Sequence, residues 1–127
     1  MPHVYLEYTA GVGSDVNFKE ASQRLHNTLV EVSGLRLDLV KTRLIRYDNY
    51  FVGDCVEPQE FIHLNVSTVS GKAGDDEKRH TISRLLLEVL ADIFEPVLRQ
   101  QKVDISVQIT EVPASGYVRI RSTFLEP

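Results

Sequence analysis

The residues best suited to chemistry stand at the start of the chain and along one strand-like stretch. Pro2 follows Met1 directly. A small second residue permits enzymatic removal of the methionine, which leaves proline with a free secondary amine. A protein α-amine has a reference pKa of roughly 7.7–8.0, and a pyrrolidine nitrogen sits higher. Partial burial or a neighbouring cation lowers such a group toward neutrality. An amine tuned in this way can serve as a general base and then as a general acid. The plain alternative is a proline that does no more than expose a cleavable methionine. The second set is Lys41, Arg43 and Arg46, three cations within six residues. They either protect an edge strand from aggregation or line a site for an anion.

Other reactive side chains carry less. Cys55 lies in the acidic run Val52-Gly53-Asp54-Cys55-Val56-Glu57-Pro58, which raises a thiol pKa and argues against a nucleophile. His63 has no His, Cys or paired carboxylate at metal-ligand spacing, so it reads as a hydrogen-bonded sheet histidine and no metal is expected. Ser70-Gly71-Lys72-Ala73-Gly74 lacks the spacing of a phosphate loop. His26, beside the apolar stripe of a helix, reads as a boundary or surface residue.

The elements that must position these groups follow from periodicity. Val4, Leu6 and Tyr8 alternate with His3, Tyr5 and Glu7, the period of a half-buried strand. The first strand position is one of the few that suits a residue without a backbone donor, as Pro2 is. Residues 10–16 form a loop, and Asp15 or Asn17 caps a helix carrying Phe18, Ala21, Leu25, Leu29 and Val32 on one stripe, closed by Gly34. Strand composition returns over residues 41–51, with Thr42, Leu44 and Arg46 on one face and Lys41, Arg43, Ile45 and Tyr47 on the other. A third strand spans residues 61–69, with Ile62, Leu64 and Val66 to one side. Asp75, Asp76 and Glu77 open a long helix, favourable for its dipole, and Pro96 ends or kinks it near residues 92–95. Residues 102–112 alternate again, with Val103, Ile105, Val107 and Ile109 inward. After the turn at Pro113 and Gly116, residues 117–124 add a short strand or arm, where Arg119 and Arg121 share a face that is either partner-facing or solvated.

The order is β-α-β twice, each half about sixty residues long, which favours parallel pairing within each half. The expected fold is α+β: one domain over residues 1–127, a four-stranded mixed sheet with two helices on one face. Two helices leave the other face bare, and self-association is the simplest cover. With 127 residues the chain can bury about two-thirds of its unfolded surface without disulfides. A single cysteine suits a reducing, cytoplasmic setting. The start shows no secretion signal and no run approaches membrane-spanning length. A net charge of −4, from 14 basic and 18 acidic side chains, offers no basic stripe for nucleic acid.

Three segments taken together resemble a known family. Pro2-His3-Val4-Tyr5-Leu6-Glu7-Tyr8, Lys41-Thr42-Arg43-Leu44-Ile45-Arg46-Tyr47-Asp48 and Phe61-Ile62-His63-Leu64 are similar to 5-carboxymethyl-2-hydroxymuconate isomerase. That family belongs to the tautomerase superfamily, with 4-oxalocrotonate tautomerase and macrophage migration inhibitory factor. The resemblance runs over nearly the whole chain. It implies a homotrimer of duplicated β-α-β units, three sites near subunit boundaries, and cofactor-independent isomerisation of a small acidic substrate in the breakdown of aromatic compounds. It also implies that Pro2 is the catalytic base and that Lys41 and Lys72 occupy positions where the family carries substrate-binding arginines. Lysine keeps the charge but loses the planar, two-pronged grip on a carboxylate. Arg43 remains in the matching strand as a further anchor. A fold retained without its chemistry, a non-catalytic trimeric scaffold or binding protein, is the alternative.

Overall fold

The computed structural model describes residues 1–13 and 16–122. Strand β1 spans His3–Thr9, β2 Lys41–Tyr47, β3 Glu60–Val69 and β4 Val103–Val112. They form one sheet in the order β2-β1-β3-β4. β1 pairs parallel with β2 and β3 parallel with β4, while β1 and β3 run antiparallel and join the two halves. The sheet is therefore mixed, as expected, with β2 and β4 at its edges.

Helix α1 spans Phe18–Ser33, and its cap is Asn17, whose side chain accepts the Glu20 N–H at 3.1 Å. The other candidate cap, Asp15, lies outside the described residues. Gly34 ends the helix in the left-handed conformation at φ 76°. Helix α2 spans Asp76–Ile93, and Asp75 caps it by accepting the Lys78 N–H at 2.9 Å. The expected interruption falls at Phe94, and Pro96 opens a short further helix, α3, over Glu95–Gln100. The sequence reading had only two helices. Proline breaks the first by its missing donor and then suits the first turn of the next.

Both long helices cover the same sheet face. Val4 and Leu6 of β1, with Ile62, Leu64 and Val66 of β3, are buried against Leu25 and Leu29 of α1 and against Ile82, Leu86, Leu90 and Phe94. Burying each of these large side chains contributes about 1.5–3 kcal/mol. The opposite face bears polar cross-strand pairs instead. The Tyr47 hydroxyl donates to Glu7 at 2.5 Å, His63 Nδ1 meets Ser106 Oγ at 2.7 Å, and Thr110 donates to Asn65 at 3.0 Å. His63 is thus the hydrogen-bonded sheet histidine expected. His26 is half-buried, with Nε2 2.5 Å from Thr42 Oγ1 on β2, and burial lowers its pKa. β2 stops at Tyr47, four residues short of the expected stretch. Past β4, Ala114–Gly116 form one 3-10 turn, and residues 117–122 follow as an arm without strand pairing. Phe124, the end of the expected arm, lies outside the described residues.

One buried carboxylate fixes the far end of the sheet. Glu60 accepts hydrogen bonds from Thr9 Oγ1 at 2.9 Å and from the Tyr50 hydroxyl at 2.8 and 3.0 Å. A Cβ on Gly11 would overlap that carboxylate. Gly11→Ala therefore has to displace a buried, hydrogen-bonded charge and should destabilise by about 2–3 kcal/mol. At Gly34 nothing stands within 4 Å of an added Cβ, so Gly34→Ala meets only the left-handed backbone penalty of about 1 kcal/mol. Urea unfolding of the two variants should rank them in that order, and the reverse order would refute this account of the loop.

Candidate active site at the amino-terminal end of the sheet

Strand directions decide what meets the terminus. In the β1–β2 register His3 pairs with Lys41, and the Lys41 N–H donates to the Pro2 carbonyl at 3.2 Å. In the β1–β3 register His3 pairs with Ser67, so the turn after β3 lies at this same end. Pro2 is buried, on the side of Val4 and Leu6, directly before a strand that is paired on both flanks from His3 onward.

The neighbouring residue organises the other face. An arginine only donates hydrogen bonds, so His3 Nδ1 accepts from Arg43 Nη2, at 3.1 Å. The ring proton therefore sits on Nε2, which donates to the Tyr117 hydroxyl oxygen at 3.2 Å. Burial, then the positive charges of Arg43, the amino terminus and Lys41, lower the His3 pKa and keep the ring neutral. The Arg43 guanidinium lies 4.3 Å over the Tyr5 ring, and its Nη1 is buried with no hydrogen-bond partner among the described residues.

A cavity of about 320 Å³ opens beside this group, lined by His3, Asp38, Lys41, Tyr117, Arg119 and Arg121 among others. The chain amine, here that of Met1, is held below its ordinary value by burial first and then by Lys41 and Arg119. Arg121 donates to Asp38 at 3.3 and 3.4 Å, and Arg36 to the same carboxylate at 2.8 and 3.1 Å. Partial loss of solvent acts to raise the Asp38 carboxyl, but Arg36 and Arg121, by hydrogen bond and by charge, bring it below its usual range.

Of the expected site residues, Lys41 alone lines this cavity; Pro2 is tied to it through the Lys41 N–H and Arg43 through His3, and neither Pro2 nor Arg43 is in the lining. Lys72 is on the exposed turn after β3, at the same end of the sheet but outside the cavity lining. Arg79 holds that turn by donating to the Gly74 carbonyl at 2.5 Å, and Glu111 accepts the Gly71 N–H at 2.9 Å. Arg46 is excluded from the group. It pairs with Tyr8 at the far end of β2, on the helix-facing side, and bonds Asp48 at 3.1 Å. Cys55 is exposed in the loop between β2 and β3. Sequence reasoning missed the roles of His3, Tyr117 and Asp38. The proximity of His3 to Pro2 was a usable signal. Nothing in the sequence pointed from His3 to Tyr117, 114 residues away.

A larger cavity of about 440 Å³ lies at the opposite end, between α1 and the α2–α3 break. Its Arg24 and Asp92 are already joined at 2.7 Å, and the remaining lining is largely apolar and amide, so the smaller, cation-lined cavity is the better place for proton chemistry. Among the described residues no group of three His, Cys, Asp or Glu is placed to hold a metal ion, and no helix is long and apolar enough to cross a membrane.

Comparison with known proteins agrees with this geometry. A 5-carboxymethyl-2-hydroxymuconate isomerase from Deinococcus radiodurans R1 superposes with a TM-score of 0.80 at 26% identity, over 95% of this chain and 90% of that one. A 5-carboxymethyl-2-hydroxymuconate delta-isomerase gives 0.84 at 15% identity, over 98% and 91%. A fused 4-OT solved as a symmetric trimer gives 0.71 at 14% identity, over 94% and 93%, a likeness of fold. Among curated protein sequences none matches significantly. The model of the 5-carboxymethyl-2-hydroxymuconate isomerase family matches residues 2–122, and the chain belongs to that family of isomerases in the tautomerase superfamily.

Proposed function

We propose that the protein moves a proton within an unsaturated hydroxy- or keto-dicarboxylate of the 5-carboxymethyl-2-hydroxymuconate type, using the amine of Pro2 as base and then as acid. While Met1 is attached the Pro2 nitrogen is a tertiary amide, which is no base. Removal of Met1 frees the amine at a position that is already buried and bonded to β2 through its carbonyl. The observation that carries the reading is the lowered pKa of the chain amine at this place, caused by burial and then by Lys41 and Arg119. The same burial and the same cations would act on a Pro2 amine in the same downward direction.

In the reaction the neutral amine takes a proton from one carbon of the substrate, leaving a dienolate, and the ammonium returns it to another carbon. Lys41 and Arg43 hold the substrate carboxylates and stabilise the charge as it develops, with Lys72 engaging a second carboxylate from the turn. No cofactor takes part. Pro2→Ala should lower kcat by about 10²-fold or more, the usual span of general acid–base catalysis. Lys41→Met removes a charge-assisted contact and should raise KM about tenfold or more with an acidic enol substrate. It also removes a cation beside the amine. The amine pKa then rises, so the acidic limb of the pH–rate profile moves to higher pH. Lys72→Arg should lower KM by restoring the two-pronged grip. Unchanged kinetics in Lys41→Met, with Pro2→Ala inactive, would leave the amine catalytic and the lysine a surface charge. Pro2→Ala turning over like wild type would reject Pro2 as the base, and a processed wild type without turnover would reject the enzyme reading in favour of a scaffold.

The functional form we propose is a homotrimer. The sheet face away from the helices is bare, and the arm exposes Val118 at 92% and Ile120 at 96%. Apolar side chains so placed on a rigid frame suit burial against a second copy. Sedimentation equilibrium at micromolar concentration should return three times the chain mass, and a stable monomer would exclude this assembly.

A further inference from the structure

Among the described residues four polar ones are buried: Thr9, Ser33, Glu60 and Thr68. Thr9 and Glu60 bond each other, and Ser33 donates to the Leu29 carbonyl at 2.5 Å. Thr68 differs. It is 1% exposed, and its Oγ1 has no hydrogen-bond partner among the described residues. It sits on the helix-facing side of β3 with Ile62, Leu64 and Val66, where valine would fill the same space without burying a lone hydroxyl. A buried hydroxyl is favoured only where something bonds it.

The register points to the partner. His3 pairs with Ser67 and Val4 with Val66, so one further step sets Pro2 opposite Thr68. Residues directly opposite in an antiparallel pair stand about 4.5–5.5 Å apart at Cα. Pro2 and Thr68 also share the buried side of the sheet. With Met1 attached, the Pro2 nitrogen has no hydrogen and offers Thr68 nothing. Once Met1 is removed, the nitrogen carries one hydrogen when neutral and two when protonated. We propose that Thr68 is a positioning residue, whose Oγ1 accepts a hydrogen bond from the processed Pro2 amine and thereby aims the nitrogen lone pair at the substrate. This rests on the reading above, that Pro2 is unmasked and acts as the base.

The contact predicts a sign. An ammonium N–H donates a stronger hydrogen bond than a neutral amine does, so the hydroxyl favours the protonated form. The charged groups nearby are Lys41 on β2, His3 on β1, Arg119 on the arm, and Glu111, which pairs with Thr68 in register on β4 and binds Arg79 at 3.3 Å. Thr68→Val leaves all of them in place and keeps the side-chain shape.

The test titrates the Pro2 amine by 15N NMR in processed, 15N-proline-labelled protein, alongside kinetics with 2-hydroxymuconate. Thr68→Val should lower the amine pKa by about half a unit and kcat about tenfold, with KM nearly unchanged. Thr68→Ser, which keeps the hydroxyl, should restore both. A wild-type titration and kcat in Thr68→Val would overturn the proposal, as would a Pro2 amide still carrying Met1. If Thr68→Val does not fold, Thr68→Ala takes its place with the same expected shift. A shifted titration in a protein without turnover would support the contact while rejecting the enzyme reading, so the two fail separately.

Discussion

The antiparallel pairing of β1 with β3 is the constraint on which the rest depends. It joins two β-α-β halves into one sheet and places β1 in the interior, bonded on one side to β2 and on the other to β3. Chain termini normally fray, because few contacts hold them. Here the first residues lie between two strands, with Pro2 and Val4 in the core layer. The same antiparallel sense brings the end of β3 and the beginning of β2 to the terminus. A group at residue 2 is thus buried and lies beside the beginning of β2, whose Lys41 N–H bonds its carbonyl.

Electrostatics then gives that end its character although the chain is acidic overall. Lys41 and Arg43 come from an edge strand, Arg119 and Arg121 from the arm, and Asp38 offsets part of their charge through Arg121. Burial and these cations act in one direction on both the chain amine and His3, favouring their neutral forms. His3 in turn spans Arg43 and Tyr117, so a neutral histidine ties the cationic strand to the arm. The cations of β2 that read either as edge protection or as an anion site divide by position: Arg46 pairs with Asp48 at the far end, and Lys41 lies beside the terminus.

Much of the fold was legible because it follows from local rules. Alternation marked β1, β3 and β4, the apolar stripes marked both long helices, and Asn17, Gly34 and Asp75 act as the caps their types suggest. Pro96 marked the break but not the extra turn of helix beyond it. Periodicity says which face of a strand is buried and nothing about which strand lies beside it, so the antiparallel β1–β3 joint was not read from the sequence. Of the residues expected at the site, Lys41 and Arg43 lie in β2 and Pro2 directly before β1, positions that periodicity alone could place. The site was not legible where contacts span the chain. Asp38 meets Arg121 across 83 positions, and the buried Thr68 hydroxyl stands out only once the fold places it one residue beyond the His3–Ser67 pair.

The central claim is that this end of the sheet exists to hold an unmasked proline amine. The most direct measurement is the intact mass of the protein purified from the organism that makes it. The account predicts a mass smaller than the full sequence by one methionine residue, with Pro2 as the first residue. A native mass that retains Met1 would leave the Pro2 nitrogen an amide and would contradict it.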